Sequence, residues 1–205
     1  MGHRRVPDAR TSNGDRSTHV NPISPERISI AGAQPIRRVL HQDPRGFLVE
    51  TLRKDDESVQ GSHFVMGYTS VTLPGQFRDV DRWHAHKIQT DRFVVPLGEM
   101  MLALFDARPK SPTRDRLEVI RMAGTSIREA AHASRRDLTT YLVPIPPGVY
   151  HCIGNLSEEL FVLQNYPTEF FNPADEGRVP FVDQLIPSLD RSFAWDLIDL
   201  SQGEK

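Results

Sequence analysis

Arg82-Trp83-His84-Ala85-His86-Lys87-Ile88-Gln89-Thr90-Asp91, with six residues between Asp91 and Gly98, sets two histidines at a spacing of two. On a strand, residues two apart share a face, so His84 and His86 project together while Trp83 and Ala85 face the other way. Two co-facing imidazoles can bind a divalent metal, or supply a base and its polar support. A second stretch is Pro146-Pro147-Gly148-Val149-Tyr150-His151-Cys152-Ile153-Gly154-Asn155. Its Pro-Pro-Gly turn feeds a strand and fixes where His151 enters an interior.

Outward from these stretches the pattern is one of short apolar runs broken by turn residues. Gly46 to Leu52 is one such run, and Phe64 to Leu73 is another, closed by Pro74-Gly75. Phe93-Val94-Val95 leads through Pro96-Leu97-Gly98 into Met100 to Phe105; Leu138 to Ile145 and Leu160 to Leu163 follow. Frequent Val, Phe, Thr and Tyr at short, fairly even spacing predict an all-β antiparallel sandwich or small barrel. Met100 and Met101 are expected in its core. Ser126 to Ser134 reads as a short helix or a loop. The segment from Pro180 onward is expected to wrap the barrel as loop, with a short helix near Ser192–Leu200. Residues 1–27 are polar and aperiodic and predict a flexible tail; residues 28–205 predict a single domain.

The chain has 205 residues and a formal charge of −2. That length can bury a sizeable core, and the near-neutral charge points to neither a nucleic acid nor a membrane surface as partner. No apolar run approaches the roughly 18 residues of a membrane span. The first residues carry no apolar stretch for secretion. The single cysteine, Cys152, forms no intrachain disulfide, and a reducing, cytoplasmic location is the expectation. Cys152 follows His151 on a strand, so it faces away from His151 and reads as a packed small residue.

The two histidine stretches together resemble the paired motifs of the cupin superfamily. The first is His-x-His, four residues, an acid, six residues, Gly; the second is Pro-x-Gly, two residues, His, three residues, Asn. Asp91 stands where the family usually has Glu, and Arg78 where it usually has a glycine. The resemblance implies a cupin-type β-barrel or jelly roll. In metal-dependent cupins the matching positions hold the ion, which here means His84, His86, Asp91 and His151, with Gln89 as a substitute oxygen ligand. Such a set suits iron, manganese, nickel or zinc.

A second resemblance covers most of residues 40–195. Asp43-Pro44-Arg45-Gly46-Phe47-Leu48-Val49-Glu50, Phe105-Asp106-Ala107-Arg108-Pro109-Lys110-Ser111-Pro112-Thr113, Ile145 to His151 and Phe171-Asn172-Pro173-Ala174-Asp175-Glu176-Gly177 occur in order. They resemble conserved segments of the dTDP-4-dehydrorhamnose 3,5-epimerases, and the chain is identified as a divergent member of that family. The resemblance implies a metal-independent reaction on a nucleotide-linked 4-keto-6-deoxy sugar, in deoxysugar biosynthesis. A histidine takes the proton beside the keto group, a tyrosine on the opposite face returns one, and a cation steadies the enolate. Inversion demands that layout.

Residue by residue, the resemblance makes His84 the base, with His86 or His151 as its support, and Arg92 the enolate-stabilising cation. Arg45 and Glu50 would hold the nucleotide, across the interface of a homodimer. Arg82 precedes His84 in a shifted match that sets Asp81 against the family's arginine. Asn165 stands where the family has its catalytic tyrosine, Phe171 replaces a second tyrosine, and Tyr166 compensates only if the strand slips by one residue, which reverses its face. Trp83 to Lys87 also resembles a segment of sugar-nucleotide 3,4-ketoisomerases, which use paired histidines. The readings left open are an epimerase or isomerase without cofactor, a metal-dependent oxygenase, isomerase or lyase on a small metabolite, and a non-catalytic small-ligand-binding cupin.

Overall fold

A computed structural model describes residues 19–56, 64–131 and 134–201. Two curled sheets face each other, and every strand pairing within them is antiparallel. The six-stranded sheet contains β1 (Ile36–Asp43), β2 (Gly46–Val49), β3 (Tyr68–Thr72), β5 (Asp91–Leu97), β8 (Arg136–Ile145) and β10 (Phe161–Asn165), in the order β2-β1-β8-β5-β10-β3. The five-stranded sheet contains β4 (Arg82–His86), β6 (Glu99–Asp106), β7 (Leu117–Ala123), β9 (Val149–Gly154) and β11 (Glu176–Pro180), in the order β11-β4-β9-β6-β7. A two-stranded ladder, β12 (Leu185–Ile186) with β13 (Arg191–Ser192), follows. Strands adjacent in space mostly come from distant parts of the chain, as in a jelly-roll barrel.

Burial explains why these runs are strands and which way they face. Strand β6 is apolar from Met100 to Phe105 because both of its faces are covered there. Met100, Leu102 and Leu104 join the core between the sheets with Phe93, Val95, Val143, Ile145 and Phe161. Ala103 and Phe105 belong to a second cluster with Trp83, Val119, Cys152, Phe181, Ile186 and Phe193. Trp83 is fully buried, with ring centroids of Phe193 at 5.0 Å and Phe181 at 5.1 Å. Such ring pairs add roughly 0.5–1.5 kcal/mol each beyond area burial. A one-residue slip of β4 would exchange this tryptophan with His84, so the aromatic anchor fixes the histidines on the opposite face.

Turn chemistry sets the strand ends. Gly98 joins β5 to β6 at φ +78°, and a Cβ there would lie 2.2 Å from the Leu160 carbonyl oxygen. Gly148, in the turn before His151, has φ +79° and sits against the Arg108 side chain. Both positions exclude a side chain.

Two expectations change. Residues 1–18 of the expected tail lie outside the described residues, but 19–27 pack onto the barrel. Val20 bridges to Ile198, Ile23 bridges to Ile120, and Pro25–Arg27 forms a 3₁₀ turn. The helix expected near Ser192–Leu200 is strand β13 followed by a 3₁₀ turn at Trp195–Leu197. Phe193 is buried there in the second cluster and Leu197 is buried too, and tertiary packing overrides the weak local helix signal. Between β7 and β8, the stretch read as short helix or loop contains helix α1 (Ile127–Ala131). Among the described residues no helix is long and apolar enough to cross a membrane.

Candidate active site

Strands β4 and β9 are neighbours, and their register pairs His84 directly with His151. The imidazole centroids of His84 lie 4.6 Å from His86 and 4.9 Å from His151. A cavity of about 300 Å³ opens beside them. Its wall on the five-stranded sheet carries His84, His151, Ile153 and Arg178. The facing wall, from the six-stranded sheet, carries Tyr68, Ser70, Asp91, Phe93 and Leu163. Arg78 and Asp79 line it from the loop before β4. Cys152, one residue from His151, is buried in the outer cluster with its thiol pushed well up by burial.

The histidines differ sharply in their surroundings. His84 is pushed down to about 3 by burial and by its electrostatic interactions with His151, Arg178 and His86. Its Nε2 is buried without a hydrogen-bond partner. Glu176 Oε1 lies 3.3 Å away but accepts from Arg178 Nε at 2.8 Å and Nη2 at 2.5 Å, so its charge is already engaged. His86 is raised: burial works against its charged form, but the carboxylates of Asp91 and Asp175 outweigh it. Its Nδ1 is 3.2 Å from Asp175 Oδ2 and its Nε2 is 3.4 Å from Asp91 Oδ2. Asp175 also accepts the backbone N–H groups of Lys87 (2.9 Å), Ile88 (2.7 Å) and Gln89 (3.2 Å), so one carboxylate shapes the turn after β4 and holds the ring.

Asp91 is the hub beneath the cavity. Burial opposes its ionisation, yet His151, His86 and Asn165 hold it far below the usual carboxylate range. His151 Nε2 is 3.4 Å from Asp91 Oδ2, and Gln89 Nε2 donates to Oδ1 at 2.9 Å. Asp79 is raised, chiefly by burial, with His151 and Arg178 opposing.

This donor set does not fit a metal. Both ring nitrogens of His86 face carboxylates, and Gln89 Nε2 comes within 3.0 Å of its Nε2, so this ring is already engaged. Asp91 is likewise occupied by Gln89 and Asn165. Among the described residues no group of three or more His, Cys, Asp or Glu side chains is arranged to hold one. His84, His86, Asp91, His151 and Gln89 are therefore brought together, with His86, Gln89 and Asp91 in hydrogen-bonding contact and the Nε2 atoms of His84 and His151 left without a hydrogen-bond partner.

Several other expected site residues lie elsewhere. Arg92 sits between Asp91 and Phe93 on β5, so its side chain leaves through the other face of the sheet. Its Nε donates to the Tyr166 carbonyl at 2.5 Å, and it does not line the cavity. Tyr166 also stays outside, with its hydroxyl 2.6 Å from Thr51 Oγ1 and donating to Gln164 Oε1 at 3.1 Å. Arg45 pairs with Asp43, Glu50 with Arg53 and Arg82 with Asp81, all outside the cavity. Phe171 is exposed. Asn165 does reach the site, donating to Asp91 Oδ1 at 2.7 Å and to the Tyr68 hydroxyl at 2.9 Å.

Sequence reasoning missed Tyr68, Arg178, Asp175 and Glu176 as site residues. The last two stand within the Phe171–Gly177 match, and Arg178 shares a strand face with Glu176 at a spacing of two. Tyr68 lies in no motif; only its strand pairing reveals it.

No protein-family model matches the chain. It is 30% identical over 145 residues to a probable low-salt glycan biosynthesis epimerase of Haloferax volcanii, covering 69% of this chain and 82% of the relative. A spore coat polysaccharide biosynthesis protein of Bacillus subtilis is 28% identical over 159 residues, covering 77% of this chain and 93% of that one. Among solved structures, a dTDP sugar isomerase of Desulfovibrio desulfuricans superimposes with a TM-score of 0.63 at 27% identity, covering 85% of this chain and 97% of its own. A 3'-monoepimerase of Streptomyces bikiniensis in complex with dTDP-quinovose gives 0.56 at 25% identity, over 75% and 71% of the two chains. The histidine-lined cavity between two sheets and these relatives agree, and the chain belongs, as a divergent member, to the dTDP-4-dehydrorhamnose 3,5-epimerase-like family of cupin-fold sugar epimerases.

Proposed function

We propose that the protein is an enzyme that epimerises or isomerises a nucleotide-linked 4-keto-6-deoxy sugar, with His84 removing the proton beside the keto group. The observation that carries this reading is an imidazole kept neutral, with no hydrogen-bond partner at Nε2, on the wall of a cavity it shares with Arg178. A neutral imidazole can accept a proton, and a nearby guanidinium favours the oxyanion that forms as the proton leaves. Arg178 and Arg78, not Arg92, are the cations that line the cavity, and Arg178 is the one on the strand beside His84. His151 and Asp91 extend the polar base of the site, and His86 braces it from behind. The relatives named as glycan and spore-coat polysaccharide biosynthesis proteins fit a role in making deoxysugars for surface polymers.

A homodimer and a cytoplasmic location belong to the same proposal. Strand β2 is a sheet edge, and Arg45 and Glu50 beside it are exposed and outside the cavity, so a second copy would be their route to a bound nucleotide. The free, buried Cys152 thiol suits a reducing compartment.

The test is incubation of the metal-free protein in deuterium oxide with dTDP-4-keto-6-deoxyglucose and related nucleotide keto-sugars, read by mass spectrometry and NMR. Deuterium is expected next to the keto carbon, and His84→Asn should slow its uptake by about 10²–10⁴-fold. Absence of exchange with every such sugar would overturn the proposal.

A further inference from the structure

We infer that Tyr68 is the proton donor of this site, working from the sheet opposite His84, and that Asn165 positions it. The inference rests on the proposed epimerase reading and names the acid which that reading lacks.

The chain has four tyrosines, and all lie among the described residues. Tyr166 bonds to Thr51 and Gln164, Tyr150 packs against Phe105, and Tyr141 packs against the inter-sheet core. Tyr68 alone lines the histidine cavity. It stands on β3, the edge of the six-stranded sheet, while His84 stands on β4 of the five-stranded sheet. A sugar ring held between the two walls therefore meets the imidazole on one face and the phenol on the other, as inversion at carbon requires.

The hydrogen-bond directions support donation by the phenol. The register pairs Tyr68 with Asn165 across β3 and β10. Asn165 Oδ1 accepts the Arg92 backbone N–H at 2.9 Å, which fixes the amide so that Nδ2 faces inward. The two hydrogens of that Nδ2 go to Asp91 Oδ1 at 2.7 Å and to the Tyr68 oxygen at 2.9 Å. The phenol oxygen is thus an acceptor towards Asn165, and its own hydrogen is left for the cavity. Partial burial and the Asp91 charge raise Tyr68 against the opposing effect of the Asn165 hydrogen bond, and the phenol stays protonated at neutral pH.

In the step itself, the His84 imidazole takes the proton from the carbon beside the keto group, and the bonding pair moves to form the enolate. The Tyr68 hydroxyl then protonates the same carbon from the other face and the carbonyl re-forms. The phenolate keeps its hydrogen bond from Asn165, and solvent returns the His84 proton to it. The substrate gains and loses one proton, and its configuration is inverted.

The experiment is Tyr68→Phe, assayed in deuterium oxide with dTDP-4-keto-6-deoxyglucose for exchange and for inversion separately. Tyr68 is nearly half exposed on an edge strand, and a melting temperature matched to the parent protein checks that the variant folds. The expected result is inversion slowed by about 10²-fold or more, with exchange retained within a few-fold, because His84 can return deuterium to the face it took the proton from. His84→Asn should slow both by about 10²–10⁴-fold. Inversion by Tyr68→Phe within threefold of the parent overturns the assignment, and so does equal loss of exchange and inversion in the folded variant. A parent protein that exchanges nothing removes the epimerase reading, and the assignment falls with it.

Discussion

His84 and His86 share one strand face, two residues apart, and their surroundings drive their protonation in opposite directions. His84 is pushed down to about 3, so it stays in the form that accepts a proton well below neutrality. The exchange rate is therefore expected to stay flat from pH 8 to about 5. An acid limb centred near the ordinary imidazole value would contradict a base held neutral by its neighbours. His86 is raised through Asp91 and Asp175, against the effect of its burial. Asp175→Asn keeps the shape and removes one of the two charges, so the His86 titration followed by NMR should move to lower pH. The substitution also weakens three backbone hydrogen bonds to the turn at Lys87–Gln89, with an expected cost of about 1–3 kcal/mol in denaturant unfolding. An unmoved His86 titration would show that Asp175 holds the backbone alone.

At the scale of strands and turns, the parity of β4 and β9 decides what the site contains. Trp83 and Cys152 are buried in the outer cluster, while His84 and His151 line the cavity. That division is legible in the sequence, because side chains alternate and the two motifs fix the phase. The same parity explains the misplacement of Arg92: Asp91 and Arg92 are consecutive on β5 and cannot share a face, whatever a motif alignment suggests. Tyr68 and Arg178 are illegible for a different reason, since their approach depends on which strands pair, and that pairing joins segments far apart in the chain. Gly98 carries the motif's turn at φ +78°, with the Leu160 carbonyl in the space a Cβ would take. Gly98→Ala is expected to lose about 2–4 kcal/mol of stability, through backbone strain and displacement of the β10 entry. Unfolding within 0.5 kcal/mol of the parent, by the ordinary scatter of surface changes, would mean the turn adapts freely.

Over the whole molecule, the polar groups that build the site also set its tolerance of acid. Asp91, and Asp106 through Arg108, Ser111 and Thr113, are held well below their unfolded values despite burial. A depressed carboxylate contributes stability above the unfolded value, here 3.8, and loses it as pH falls further. These groups therefore govern unfolding below about pH 4. His84 acts earlier. Its value is 6.5 in the unfolded chain and about 3 in the fold, so protons bind the unfolded state first and stability drains as pH falls through that interval. His86 is raised, so it has the opposite sign: its stabilisation is present in full below the unfolded value of 6.5 and is lost as pH rises above it. The parent protein consequently shows two opposed histidine contributions between neutrality and pH 5. Replacing His84 by Asn deletes the destabilising one, worth roughly 1–2 kcal/mol at pH 5. In a chain of this size that corresponds to about 2–8 °C. Thermal unfolding at pH 7 and pH 5 should therefore fall less on acidification in His84→Asn than in the parent. Equal falls would mean that His84 is already as free to protonate in the fold as in the open chain, and the neutral base between the two sheets would be lost with it.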